Sequence, residues 1–168
     1  MSIQTILRTL IASGVVVGAV AALSPVAFAA TDNDTQSGSI TAIETVNYTA
    51  GGSLTIVPNT AQNDTNFGSV NVQSNANGGW ILAVASTNGS ILKNGAIADI
   101  AYTLKVDGAG VDVSTPATPI TAKDVSVLTA AGTGGVNYPV LGTIAAADSN
   151  GKPAGTYSDT LTFTLTNK

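Results

Sequence analysis

Thr156-Tyr157-Ser158-Asp159-Thr160-Leu161-Thr162-Phe163-Thr164-Leu165-Thr166 is the stretch that decides the fold. From Thr160 onward a hydroxyl side chain alternates with a large apolar one. Leu161, Phe163 and Leu165 therefore share one face of an extended chain, and Thr160, Thr162, Thr164 and Thr166 share the other. A period of two marks a half-buried strand, and Thr, Phe and Leu between Thr residues suit a pleated surface. Wound at 3.6 residues per turn, the same side chains would scatter without forming an apolar stripe.

The period recurs upstream. Ile100, Tyr102, Leu104 and Val106 face one way; Trp80, Leu82 and Val84 do so in the next clear strand, with Ile81, Ala83 and Ala85 opposite. Apolar residues on both faces place Trp80–Ser86 centrally or under cover. Val70 and Val72 mark Ser69–Ser74, Leu54 and Ile56 mark Ser53–Val57, and Val111 with Val113 reads as a short edge strand. Asp124–Thr129 and Val140–Ala146 are weaker candidates. Ser39–Tyr48 puts Ile40, Ala42, Val46 and Tyr48 on one face, with Ile43 on the other. Between these runs stand turn signals such as Asn75-Ala76-Asn77-Gly78-Gly79, Asn88-Gly89, Asp107-Gly108 and Asp148-Ser149-Asn150-Gly151. Pro58–Asn66 reads as a polar loop. Glu occurs once, at Glu44, and no sustained helical period follows residue 30. The expected fold is all-β, an immunoglobulin-like or jelly-roll β-sandwich.

The chain begins differently. Arg8 is the only charge in a short leading segment, Leu10–Leu23 is apolar or small throughout, Pro25 breaks the run, and Ala27-Phe28-Ala29 supplies small residues at a cleavage site. That order is a secretory signal peptide over residues 1–29; the apolar run is shorter than the ~20 residues of a spanning helix. The expected location is exported. Export without cysteine leaves stability to packing and hydrogen bonding. The net charge of −4 becomes more negative once Arg8 is removed, and no basic patch supports nucleic-acid binding.

The chain has no His and no Cys. The usual Ser–His and Cys–His pairs, and imidazole or thiolate metal ligands, are therefore out of reach. No catalytic residue, metal site or cofactor is expected. A carboxylate pair for glycoside hydrolysis would have to come from residues such as Asp64, Asp107, Asp148 and Asp159, which read as turn or loop residues. Asp148-x-Asn150-Gly151 has part of a calcium-loop pattern, but Lys152 stands at the fifth position and Gly comes too early. Asn33, Asn47, Asn63 and Asn88 begin Asn-x-Ser/Thr triplets, which a chain rich in Asn and Thr produces by chance. Trp80 reads as a core anchor or a glycan-stacking platform, and its register with Leu82 and Val84 favours the core.

Leu141-Gly142-Thr143-Ile144 and Pro153-Ala154-Gly155-Thr156-Tyr157-Ser158-Asp159, followed by the Thr-alternating strand, resemble the end of the spore coat protein U-like domains, which include the archaic chaperone–usher pilins. Phe67-Gly68-Ser69-Val70-Asn71-Val72 and Ile100-Ala101-Tyr102-Thr103-Leu104 are similar to earlier strands of that family. Many members carry a disulfide, which this chain cannot form. The resemblance implies an immunoglobulin-like sandwich that lacks one strand and is completed by a donor strand. It also implies a periplasmic chaperone, an outer-membrane usher and neighbouring copies as partners, and a bacterial surface fibre as the product. On that reading residues 30–50 are an N-terminal extension and residues 51–168 the sandwich. Ile40, Ala42, Val46 and Tyr48 are the candidate pocket fillers of the donor strand, and Leu161, Phe163 and Leu165 belong to the C-terminal strand. The residues alone leave Ser39–Tyr48 open as a donor in trans or as the first strand of its own sandwich. The alternative function is a monomeric secreted module that holds glycan through Trp80 or the Pro58–Asn66 loop.

Overall fold

The structure of the chain, a computed structural model, describes residues 36–129 and 134–168. The expected signal segment lies outside the described residues. Residues 39–168 form one compact unit. Its elements are β1 (Glu44–Ala50), β2 (Gln62–Ser74), β3 (Trp80–Ser86), β4 (Ile91–Asn94), β5 (Ala98–Ala101), β6 (Thr103–Val106), β7 (Ala109–Val111), β8 (Ile120–Val125), β9 (Val136–Ile144), the single-turn α1 (Ala146–Ser149) and β10 (Leu161–Asn167). A five-stranded sheet runs β1-β2-β9-β6-β7, a three-stranded sheet β10-β3-β8, and β4 and β5 form a hairpin. Every described pairing is antiparallel.

The two larger sheets share one core. Val70, Val72, Leu104, Val106 and Val140 come from the five-stranded sheet; Trp80, Leu82, Val84 and Leu165 come from the three-stranded one. This is the sandwich-like packing that the alternating runs called for. Trp80 is fully buried. Its Nε1–H donates to Thr129 Oγ1 at 2.7 Å, and its ring lies 5.9 Å from that of Tyr138 on the opposite sheet. The tryptophan is thus a core anchor with its one polar atom satisfied, and it presents no stacking face to a sugar. Gly79, just before it, has φ +85°, and a Cβ there would stand 1.9 Å from the Val125 carbonyl oxygen. Only glycine brings the chain that close to β8 as it turns into β3.

The sandwich closes differently on its two sides. On one, Lys123 of β8 pairs with Asp107 in the β6–β7 turn and lies 4.7 Å from the Tyr138 ring centroid. On the other, the edge strands β1 and β10 approach through Tyr48 and Phe163, ring centroids 4.9 Å apart, and through Asn167 N–H, which donates to Glu44 Oε1.

Several expected boundaries move. The Ile100–Val106 run is one alternation but two strands: Ile100 pairs in the hairpin with β4, while Leu104 pairs with β9. The chain changes sheets at Tyr102, whose N–H donates to the Ser90 carbonyl at 3.0 Å. All four alternating side chains stay buried across the change, so the pattern reports facing and not partner. Asp124–Thr129 gives way to β8 at Ile120–Val125, because the register with β3 begins at Ile120. The polar loop ends earlier than Asn66, since β2 starts at Gln62. Ser53–Val57 forms no strand; Leu54 and Ile56 are half-buried, and the Thr55 carbonyl accepts from the Gln62 side chain. The Asp148–Gly151 segment is α1 and the turn after it.

Leu82, wholly buried between the sheets, should lose about 3 kcal/mol of stability on substitution to Ala. Ile40→Ala, at a side chain 90% exposed, should stay within about 0.5 kcal/mol. Urea denaturation followed by tryptophan fluorescence measures both, and equal losses would contradict this core.

Candidate functional site

Beside β10 the surface opens into a groove with a cavity of about 910 Å³. One wall is the strandless segment 53–57, presenting Leu54 and Ile56; the other runs from Pro153 to Leu161 and presents Tyr157. Beneath lie Phe67, Leu92, Ile100 and Tyr102, which belong to the core or pack against it. Gly142 makes room below: a Cβ there would stand 2.2 Å from the Phe67 ring, which rests 5.3 Å from that of Tyr102.

The wall at Pro153–Asp159 is built by two polar contacts. Tyr157 folds its hydroxyl back onto the Pro153 carbonyl at 2.8 Å. Asp159 then accepts from Ser86 Oγ–H (2.5 Å) and Tyr102 O–H (2.6 Å) through Oδ2, and from the Asn88 N–H (3.0 Å) and its own neighbour's Thr160 N–H (2.7 Å) through Oδ1. These are charge-assisted bonds, the stronger kind. They tie the start of β10 to the end of β3 and to the point where the chain changes sheets. Asp159 is also the one carboxylate among the residues lining the cavity. Asp107 is paired with Lys123 and Asp148 lies in α1, so the cavity does not assemble the acid pair that glycoside hydrolysis asks for.

The backbone of β10 gives the groove its directional character. The Thr87 N–H donates to the Thr160 carbonyl at 2.9 Å and the Lys168 N–H donates to the Gly79 carbonyl at 3.0 Å. In an antiparallel ladder this parity repeats every second residue. The even-numbered residues therefore bond to β3, and the N–H and C=O groups of Leu161, Phe163 and Leu165 point to the other edge. Asn167, of the same parity, reaches Glu44 there. β10 is an edge strand among the described residues, but β1 lies along its outer side from Asn167 to Phe163, so the outer groups left beside the cavity for one more strand are those at Leu161.

The expected site residues divide. Leu161, Phe163 and Leu165 all turn inward on β10: Leu165 is buried, and the other two pack partly exposed against the core. Val46 and Tyr48, expected in the N-terminal extension, lie on β1, which pairs with β2 of the same chain from Glu44↔Ser74 to Ala50↔Gly68. Both pack against their own core. Ile40 and Ala42 precede the strand and are exposed. The sequence reading missed Tyr102 and Asp159 as partners, because a separation of 57 positions leaves no local signal. It also missed Leu54 and Ile56 as a groove wall; their alternation was visible, but their lack of a pairing strand was not. No family model and no curated protein sequence matches the chain.

Burial first, and the Asp159 hydrogen bond second, hold the Tyr102 hydroxyl far above the usual 10.0. Unfolding returns it to the ordinary value, so the stability it contributes is complete below pH 10 and falls as the pH rises beyond it. Tyr102→Phe should cost about 1–2 kcal/mol at pH 8, from the lost bond to a charged acceptor. It should also flatten the decline above pH 10. Urea midpoints at pH 8 and pH 11 for both proteins test this; parallel declines would refute it.

Proposed function

We propose that the chain is a structural subunit of an exported bacterial surface fibre, assembled by strand addition between copies and serving adhesion or biofilm formation. The single observation behind this is the outer edge of β10 left unpaired at Leu161, beside a groove that presents Leu54, Ile56 and Tyr157 from its walls. Strand addition works by this combination: backbone groups on an open edge supply affinity, and pockets for alternate side chains supply register.

The placement of the chain's own N-terminal segment supports copies of the same protein as the occupant. β1 begins at Glu44, beside Asn167 at one end of β10, while the cavity flanks Leu161 at the other end. Donor and acceptor regions thus lie at opposite ends of one subunit. A contact between unlike ends does not close on itself, and repeating it gives a filament. Ile40 and Ala42 are exposed ahead of β1 and alternate as pocket fillers would. Val46 and Tyr48 join them only in a copy whose β1 has left β2. The immunoglobulin-like, strand-deficient fold, the periplasmic chaperone and the outer-membrane usher follow from the resemblance to the spore coat U-like domains, as does the route through the periplasm. The chain's apolar leader agrees with that route.

The absence of cysteine makes a direct test available. One copy carries Ile40→Cys and another Leu54→Cys, both produced by cells that export and assemble the chain. Oxidation should join the two copies, and a single copy carrying both substitutions should give a ladder of multiples on a non-reducing gel. Monomers alone under oxidising conditions, with both copies folded, would overturn the proposal.

A further inference from the structure

The residues ahead of β1 are held in a defined direction. β1 and β2 end their pairing at Glu44↔Ser74. Beyond that point the half-buried Asn75 takes over the ladder with its own side chain. Its Oδ1 accepts the Ile43 N–H at 2.8 Å, its Nδ2–H donates to the Thr41 carbonyl at 2.8 Å, and its backbone N–H donates to the Ile43 carbonyl at 3.2 Å. A carboxamide carries one acceptor and a donor on neighbouring atoms, so it can satisfy two successive groups of an extended chain as a pairing strand would. The result is a prolongation of β1 past the end of its partner.

From these contacts we propose that Asn75 is a positioning residue for assembly: it keeps Thr41–Ile43 extended and aims Ile40 outward, away from the subunit's own groove and towards the groove of the next copy. This rests on the strand-addition reading. Distance supports it. From Phe67, which lines the groove, to Asn75 the chain runs on for eight residues, on the order of 25 Å in extended chain. Residues 39–43 span at most about 17 Å when fully extended, so Ile40 cannot reach back to its own Leu54 while β1 stays paired. A segment already extended loses less conformational freedom when a neighbour captures it, which is the advantage of preorganisation. The sequence signal at this position reads only as a turn, since Asn75 opens the Asn-Ala-Asn-Gly-Gly run.

The test uses the same cysteine pair and exploits the two different roles of the copies. Asn75→Ala in the copy bearing Ile40→Cys should slow disulfide formation about tenfold. The same Asn75→Ala in the copy bearing Leu54→Cys should leave the rate unchanged, because that copy contributes only its groove. A general loss of folding would slow both. Amide hydrogen exchange should show Ile43 losing roughly tenfold protection in Asn75→Ala, with the β3 amides unaffected. Equal effects in the two copies, or no effect in the Ile40→Cys copy, would overturn the role of Asn75 while leaving strand addition in place. Failure of the unsubstituted pair to cross-link would instead overturn strand addition, and this inference with it.

Discussion

The carboxylate of Asp159 fixes where the last strand begins, and the shape of the molecule on that side depends on it. Four hydrogen bonds converge on its two oxygens from the end of β3, the turn after it, the first residue before β10 and the point where the chain changes sheets. Hydrogen bonds to a carboxylate are stronger than neutral ones, and three of these four are partly withdrawn from solvent. The cluster therefore sets the register of Leu161–Asn167 on Trp80–Ser86. Register in turn sets parity. With Thr160 bonded towards β3, the backbone groups of Leu161, Phe163 and Leu165 face away from β3, towards β1 at Phe163 and Leu165 and towards the cavity at Leu161.

An open edge next to an apolar groove is a liability for a monomer and a resource for an assembly. The two sides of this sandwich treat the problem unequally. At β7 and β8 a charged pair and a cation over the Tyr138 ring span the sheets. Exposed pairs of this kind add little stability, but a lysine at an edge discourages further pairing. At β1 and β10 the sheets meet from Asn167, which reaches Glu44, to Phe163, which packs on Tyr48, and Leu161 at the start of β10 borders the cavity. Along the β1/β10 side the two ends also differ, with β1 beginning beside Asn167 at one and the cavity flanking Leu161 at the other. The proposed fibre uses that difference, with the Asn75 carboxamide setting the exit of one segment and the walls at Leu54 and Tyr157 receiving another.

The lack of cysteine gives these contacts added weight. A cross-link would have restrained the unfolded chain; here the described core has to hold through burial of residues such as Trp80, Leu82, Val72 and Ile144, and through satisfied polar atoms such as Trp80 Nε1. No buried side-chain nitrogen or oxygen among the described residues lacks a hydrogen-bond partner. Such a core is specific as well as stable, because each polar group in it rules out the alternative registers that would leave it unpaired.

By itself the sequence determined the all-β class and the inward faces. Period-two alternation depends only on the extended geometry of each strand, and so Trp80–Ser86 and the Leu161, Phe163, Leu165 face were legible without knowing any neighbour. It also determined which chemistries the chain could not perform with imidazole or thiol. Tertiary structure decided the partners. Only folding showed that the single alternation Ile100–Val106 serves two sheets, that Ser53–Val57 walls a groove without pairing, and that Val46 and Tyr48 belong to their own core while Ile40 does not. Asp159 and Asn75 look like ordinary turn residues in the chain. Their roles come from groups that folding brings beside them, 57 residues away for Tyr102 and 32 for Ile43, and a local pattern carries no record of such distances.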